Sequence, residues 1–194
     1  MHHTRVAAFL LGAWLLGSVF QAFVATRNFR TVDAVLASPS APASAMIQTL
    51  GRENARLLLR YLAGEENRGY FENWELGQLV IGTVLIGLLL AGGEKRLLAG
   101  MAGFMLVLTL FQHFKMTPDL IALGHSLDFV PASVEAETRQ QFGRIHAIYG
   151  GIELAKMLLA ATIAAFLFSK RRGRLRDGVD IDAVNYADHR HINR

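Results

Sequence analysis

Four apolar stretches stand out in the pattern of hydrophobic and polar positions along the chain. They cover residues 6–26, 76–93, 97–114 and 145–168. A hydrocarbon core about 30 Å thick needs roughly 20 helical residues at about 1.5 Å rise each, so each stretch is long enough to cross a bilayer. Backbone at that depth must satisfy its own hydrogen bonds, which favours helices over isolated strands. The pattern predicts an all-α fold, a four-transmembrane-helix bundle formed by residues 1–170.

The segments between and after these stretches predict further helical structure. Ser44 is a candidate N-cap for an amphipathic helix that Gly64 would end. Thr117 is a candidate N-cap for a second amphipathic helix in the third connection, with Pro118 at its first position. We expect the fourth spanning helix to begin well before residue 145. Residues 171–194 are expected to form a polar cytoplasmic tail, of which residues 177–194 have little stable structure of their own.

Positive charge is concentrated just after the fourth stretch, in a chain whose net charge is +4. The basic residues there are Lys170, Arg171, Arg172, Arg174 and Arg176. Because lysine and arginine close to a membrane exit mark the cytoplasmic side, we expect a multi-pass protein of the cell inner (cytoplasmic) membrane with both termini cytoplasmic. The same rule explains the cluster without nucleic acid, so we expect membrane lipid and no nucleic acid as partners. The first stretch is too long for a signal peptide and is expected to remain as an anchor.

The chain contains no cysteine. This excludes disulfide bonds, thiolate metal ligands, iron–sulfur clusters and covalently attached c-type haem. Sequence motifs of hydrolases and of nucleotide-binding proteins are also missing. Any cofactor must therefore be held by histidine, methionine, carboxylates or packing.

A thin layer of polar and ionisable residues falls near the outer end of the predicted bundle. Ionisable groups inside a membrane cost roughly 2.5–3.5 kcal/mol each on insertion scales, so they face a partner or a cavity. Since neighbouring helices run in opposite directions, residues distant in sequence converge at this depth. The sequence therefore predicts a polar pocket at the outer end of the bundle. Its predicted members include Glu75, Gln78, Tyr149 and Lys156.

Within this layer, histidines and one acid are the candidate ligands. His146 and Glu153 lie on one stripe of the fourth helix, because they are seven residues apart. His113 and His146 are candidate axial ligands of haem b, Glu153 is a candidate metal ligand or proton carrier, and His125 is a further candidate outside the spans. A structural ion pair between Glu153 and Lys156 explains the same residues without a cofactor.

Two segments resemble a family of bacterial four-helix membrane proteins of unknown function. One is Thr-Pro-Asp-Leu at 117–120, and the other is Phe-Gly-Arg-Ile-His at 142–146, with Ile145 where the family pattern has leucine. That family is similar to the copper-resistance D-like superfamily, in which the HemJ-type membrane-bound protoporphyrinogen oxidase holds haem b with histidine. The resemblance implies a four-helix membrane fold over about residues 70–168 and assigns His146 to the histidine of the pattern.

Three functions stay open at this point, and no catalytic residue is assigned. The histidines and Glu153 favour a protein that binds haem b or a metal ion. Glu153 and Lys156 within the fourth span favour a small-solute or proton-coupled carrier. Small residues on the helix faces favour a non-catalytic subunit or scaffold of a larger membrane complex, with other membrane proteins as partner subunits.

Overall fold

The computed structural model describes residues 2–93, 96–131 and 133–188, with side chains up to residue 169 outside those gaps. This part of the chain is helical and contains no strand, which confirms the all-α prediction. A π-helical turn, Gln112–Met116, joins two of the helices. The helices are α1 (His2–Ala37), α2 (Ala41–Leu50), α3 (Arg52–Ala91), α4 (Arg96–Phe111), α5 (Thr117–Ser126) and α6 (Ala136–Asp188).

Four helical segments are long and apolar enough to cross a membrane, as predicted. They are α1, α3, the continuous segment Arg96–Ser126, and α6 as far as Ser169. Their outward surfaces are strongly apolar: Phe9 is 73% exposed, Leu16 71% and Val80 65%. Large exposed apolar surfaces are rare on soluble monomers and are typical of lipid-facing helices. The chain is therefore a membrane protein built on a four-helix bundle.

The first connection is more helical than predicted. The prediction of one helix from Ser44 to Gly64 is wrong, because α2 begins at Ala41 and α3 runs without a break from Arg52 into the second span. Gly51 separates the two helices with φ +78°, a left-handed conformation that glycine adopts without strain. Gly64 lies inside α3, where a glycine lowers helix stability by only about 1 kcal/mol relative to alanine. Tertiary packing stabilises the helix by more than this.

The second predicted cap and the tail also differ from expectation. Helical structure is continuous from α4 through the π-helical turn into α5, so Thr117 does not cap a free helix end. As predicted, α6 begins well before the span, at Ala136, but it then continues to Asp188. The expectation of little stable structure is therefore wrong for residues 177–188, which contain no proline to end a helix already formed by the span. Residues 189–194 lie outside the described part.

The main hydrophobic core fills the half of the bundle next to the glycine turn between α3 and α4, which we call the turn end. It is formed by α1, α3, α4 and α6 and excludes solvent almost completely. Trp14, Leu85, Met105 and Ile163 are among its fully buried side chains. This half holds the four spans together.

At the opposite end, which we call the α5 end, α1 is attached to α3 by polar contacts. The buried Asn67 side chain donates to the carbonyl of Ala25 at 3.1 Å and accepts from Asn28 Nδ2 at 2.7 Å. A small apolar cluster of α1 and α3 lies beyond it, formed by Val32, Leu36, Ala55 and Ala63. These contacts keep α1 and α3 together well past the spans.

Between the two ends, α1 and α3 approach closely at one glycine. A Cβ atom built on Gly17 would lie 2.1 Å from a carbon of the Trp74 ring. Real Cβ atoms do not approach other atoms so closely, so the indole occupies the space that any side chain at position 17 would need. Gly17 is therefore a packing requirement of this structure and sets the position of the Trp74 ring.

We predict that Gly17→Ala destabilises the protein by about 1–3 kcal/mol, the usual cost of overpacking a filled site. Gly12→Ala on the same helix is the matched control, because a Cβ there meets no atom within 4 Å. The control is expected to be neutral or to gain up to about 1 kcal/mol from helix propensity. Unfolding of the purified protein by sodium dodecyl sulfate, followed by circular dichroism, measures both; equal stabilities would contradict the packing of Trp74 on Gly17.

Candidate functional site

The carboxylate of Glu75 is fully buried between α3, α5 and α6. Two hydroxyl groups donate hydrogen bonds to it, and one histidine nitrogen lies within hydrogen-bonding distance. The Thr117 hydroxyl donates to Oε1 at 2.5 Å, the Tyr149 hydroxyl donates to the same oxygen at 2.7 Å, and His113 Nδ1 lies 3.0 Å from Oε2. A carboxylate with this many hydrogen bonds is a satisfied buried acid.

The ammonium of Lys156 is also fully buried, one helical turn of α3 further towards the turn end. Its Nζ lies 2.6 Å from Glu153 Oε1 and donates to Gln78 Oε1 at 2.5 Å and to Thr109 Oγ1 at 3.2 Å. The other oxygen of Glu153 accepts from Gln78 Nε2 at 3.2 Å. The structure therefore contains the Glu153–Lys156 ion pair that the sequence predicted, and it adds two uncharged partners.

These side chains meet because of their spacing on two helices. Glu75 and Gln78 are three residues apart on α3, and Tyr149, Glu153 and Lys156 are spaced four and three residues on α6, so each set occupies one helix face. We call this set, together with Thr109, His113 and Thr117, the buried polar network.

The π-helical turn brings polar side chains of the third span, Arg96–Ser126, against the network. Gln112 lies in this turn, is fully buried, and donates from Nε2 to the carbonyl of Tyr149 at 3.3 Å. His113 follows it and contacts Glu75. A π-helical turn widens the backbone locally and is found most often at functional sites. Here it places two consecutive polar side chains against α3 and α6.

The buried polar network brings together two carboxyl groups, one amino group and one imidazole. Lys156 pairs with Glu153, and His113 lies against Glu75. Since uncompensated charge is costly at membrane depth, these pairings contribute to the stability of the bundle.

A cavity of about 500 Å³ lies beside the network. One wall is α1 over residues 18–29, the facing wall is α6 over residues 142–157, and α3 and α5 supply the remaining lining residues. All the exposed lining residues lie on α1 and α6, whereas those of α3 and α5 are buried or half-buried. The cavity therefore opens sideways between α1 and α6. Tyr149 and Glu153 belong both to its wall and to the network.

The α5 end of the cavity is closed by a cluster around Arg68. The guanidinium donates to both oxygens of Asp128, at 3.0 and 3.2 Å, and contacts Glu65, which also lies 3.1 Å from His125 Nε2. Donor atoms of Glu65, His125 and Asp128 lie within 4.8 Å of one another, as in metal sites. Because Arg68 already pairs with both carboxylates, the cluster is internally neutralised and does not favour a metal ion.

The two histidines that were predicted as axial ligands of haem b have different surroundings in the structure. His146 lines the cavity, with its ring stacked on Phe142 at 5.8 Å, whereas His113 contacts Glu75 and does not line the cavity. Met157 lines the same cavity, but it is eleven residues from His146 on one helix, or about 16 Å, too far for both to ligate one iron. The described residues therefore do not fit a haem with two axial ligands from this cavity.

Sequence reasoning identified most of the charged residues of the site but missed several partners. Thr109, Thr117 and Trp74 were not among the predicted pocket residues, although the first two hold Lys156 and Glu75. Hydroxyl side chains are common in spanning helices, where they bond to their own backbone, so their presence alone carries little signal. Arg68 was missed because a predicted end at Gly64 removed it from a helix.

The chain matches no family model, no curated protein and no solved structure. The resemblance to four-helix bacterial membrane proteins, carried by His146, thus stays a prediction.

We predict that Lys156→Met destabilises the protein by about 3–5 kcal/mol, because it leaves a carboxylate without its counter-charge in a buried site. Glu153→Gln in the same chain should restore much of that loss, since the pair is then uncharged. Lys115→Met is the matched control: Lys115 pairs with Asp119 at 3.0 Å on an exposed surface, where such pairs contribute at most about 1 kcal/mol. The wild type, the Lys156→Met and Glu153→Gln single variants, the double variant and the Lys115→Met control are compared by unfolding in mixed micelles. Additive effects of the two single variants would contradict the coupling of Glu153 to Lys156.

Proposed function

We propose that this membrane protein binds a small lipid-soluble molecule in the cavity between α1 and α6. The observation that carries the proposal is the sideways opening of a cavity of about 500 Å³ at the depth of the spans. Ligand sites typically enclose about 300–1,000 Å³ and combine apolar walls with a few polar groups. A molecule dissolved in the bilayer reaches such an opening without crossing the headgroup layer.

The chemistry of the walls supports binding of a molecule that is mainly apolar. Leu120, Ile121, Leu154 and Met157 supply apolar surface on two sides of the cavity. The polar side chains of the wall include Gln21 on α1 and Glu153 on α6, and Arg68 lies at the α5 end. A ligand with an apolar body and a small polar group matches this distribution.

Haem b or a metal ion at this site is less well supported than a lipid-soluble organic ligand. Within the described residues, His146 is the one histidine of the cavity wall. Both charged side chains on the wall, Arg68 and Glu153, are already paired within the protein. A carrier or scaffold role also stays a prediction.

We further propose that the protein lies in the cytoplasmic membrane with both termini on the cytoplasmic side. The support is the cluster of basic residues that follows the fourth span, at positions 170–176. In this orientation the α5 end, with α2, α5 and the Arg68 cluster, faces the exterior. The cavity then opens in the outer half of the bilayer.

We predict that Gly150→Leu blocks ligand access to the cavity. Gly150 lines the cavity, and a Cβ atom there meets no atom within 4 Å, so the larger side chain fits while filling the space. Gly151→Leu is the matched control, because its Cβ is equally free but Gly151 does not line the cavity. An alkyl diazirine photoprobe in proteoliposomes, mapped by peptide mass spectrometry, should label cavity residues in the wild type and in the control.

In Gly150→Leu the labelling of cavity residues is expected to fall at least about fivefold, while labelling of the lipid-facing surface stays unchanged. Both variants must retain the helical content of the wild type. Equal cavity labelling in the two variants, or no cavity labelling in the wild type, would contradict the proposal that the cavity is a binding site.

The absence of cysteine gives a direct test of orientation. We predict that Ser133→Cys reacts with a membrane-impermeant maleimide in intact cells, since position 133 is exposed in the connection at the α5 end. Ser169→Cys, at an exposed position of α6 where the fourth span ends, should react only after the membrane is permeabilised. Reaction of position 169 in intact cells, with protection of position 133, would reverse the proposed topology.

A further inference from the structure

The cavity between α1 and α6 is elongated along the helix axes. Its lining residues run from Ser18 to Phe29 on α1 and from Phe142 to Met157 on α6. At a rise of about 1.5 Å per residue, these two walls are about 16 and 22 Å long. On each helix the lining residues recur every one to four positions along one face, so each wall is continuous. The cavity therefore follows the two helices that flank its opening.

The volume of the cavity limits what fits across it. Spread over a length of about 16 Å, the volume of about 500 Å³ corresponds to a mean cross-section of about 30 Å². Carbon atoms in van der Waals contact lie about 4–4.5 Å apart, so one extended hydrocarbon chain needs about 20 Å². Two chains side by side would need more than the cavity offers. Its dimensions favour one extended chain.

The length of the walls indicates the length of that chain. Each methylene group of an extended chain advances about 1.25 Å, given a carbon–carbon bond of about 1.5 Å. A chain of about 13–18 carbons therefore matches walls of about 16–22 Å. The hydrocarbon of a single leaflet is about 15 Å thick, half of a bilayer core. A chain from a membrane amphiphile thus has the required length.

An arginine lies beside the opening at the α5 end of the cavity. Phe29 is the lining residue of α1 nearest that end, and it is 37% exposed. The guanidinium carbon of Arg60 lies 5.7 Å from the centroid of the Phe29 ring. The Arg60 side chain is itself 49% exposed, so the charged group is accessible. Phe29 lies three residues past the first apolar stretch, which places this charge at the membrane boundary.

Positive charge is in excess around this arginine. Asp33 Oδ1 lies 3.3 Å from Arg56 Nη2 and 3.9 Å from Arg60 Nη1. In the part of the chain that the structure describes, Asp33 is the one carboxylate within ion-pair distance of either guanidinium. Two positive charges therefore share one negative charge. Since guanidinium groups bind carboxylates and phosphates well, a second oxyanion would balance the pair.

We infer that the ligand is a long-chain anionic amphiphile, with one extended hydrocarbon chain in the cavity and a carboxylate or phosphate head against Arg60 and Arg56. The inference rests on the proposed function, because it names the ligand of the same cavity. The chain enters through the sideways opening, while the head stays at the membrane boundary. The step is binding alone and requires no electron or proton transfer.

The test uses the full chain in phosphatidylcholine nanodiscs and measures how well each probe competes with photolabelling of the cavity by the alkyl diazirine. All probes are added at equal mole fractions of the bilayer, which removes differences in their partitioning from water. Hexadecanoate and hexadecyl phosphate carry one chain and an oxyanion, and hexadecanol carries the same chain without charge. Cholesteryl hemisuccinate carries a carboxylate on a rigid fused ring system.

We expect each single-chain oxyanion, ionised at the pH of the experiment, to compete at least about fivefold more strongly than hexadecanol, the value of one half-exposed ion pair. Both should also compete more strongly than cholesteryl hemisuccinate. The stronger of the two then identifies the head as a carboxylate or a phosphate.

Variants of the two arginines test the position of the head. Arg60→Gln should reduce the advantage of the oxyanions over hexadecanol to less than about twofold, and Arg56→Gln should reduce it in part. Competition by hexadecanol should not change in either variant, which shows that the cavity is intact. Arg27→Gln is the matched control, because Arg27 is exposed and lies two residues from Phe29, on the opposite side of α1.

Equal competition by hexadecanol and the two oxyanions would overturn the anionic head, and strongest competition by cholesteryl hemisuccinate would overturn the single chain. An advantage that falls equally in Arg60→Gln and Arg27→Gln would assign it to general surface charge and also overturn the inference. Absence of cavity labelling in the wild type without any probe is the separate result that contradicts the proposed function. The two proposals therefore fail by different measurements.

Discussion

The exclusion of unpaired charge from the lipid interior is the constraint on which this structure depends. Glu75 and Lys156 are fully buried, and neither is tolerable alone at that depth. Each is held by side chains from at least two other helical segments. The network thus fixes the rotation of α3 and α6 about their axes more tightly than apolar packing does, because a rotated helix would leave a charge unpaired rather than merely exchange one apolar contact for another.

Packing is divided between two halves of the bundle. At the turn end the four spans enclose a tight core around Trp14 and Met105. At the α5 end α1 and α3 remain in contact, and the space between α1 and α6 is a cavity rather than a core. The buried polar network lies at the boundary between the halves. Because the half at the turn end is tightly packed, the half at the α5 end can contain a cavity without loss of the fold.

The sequence predicted the parts of this arrangement that follow from local spacing. The length of the apolar stretches defined the spans, and the interval between Glu153 and Lys156 defined an ion pair that the structure contains. The contact of Glu75 with Tyr149 depends on the relative rotation of α3 and α6, which no local pattern specifies. The continuity of α3 through Gly64 was missed for a related reason: tertiary packing outweighs the helix-breaking tendency of a single glycine. The buried, unpaired nitrogen atoms of Gln21 and Trp74 become visible only with coordinates.

The hydrogen bonds of Asn67 have a mechanical consequence for the molecule. They attach α1 to α3 at Ala25 and Asn28, within the part of α1 that lines the cavity, while the core around Trp14 attaches it at the turn end. Between these two attachments α1 has little freedom to move away from α3. Widening of the lateral gap then falls to α6, whose cavity-lining residues include Gly150. Binding of a molecule in the cavity would therefore displace mainly the fourth span relative to the surrounding lipid.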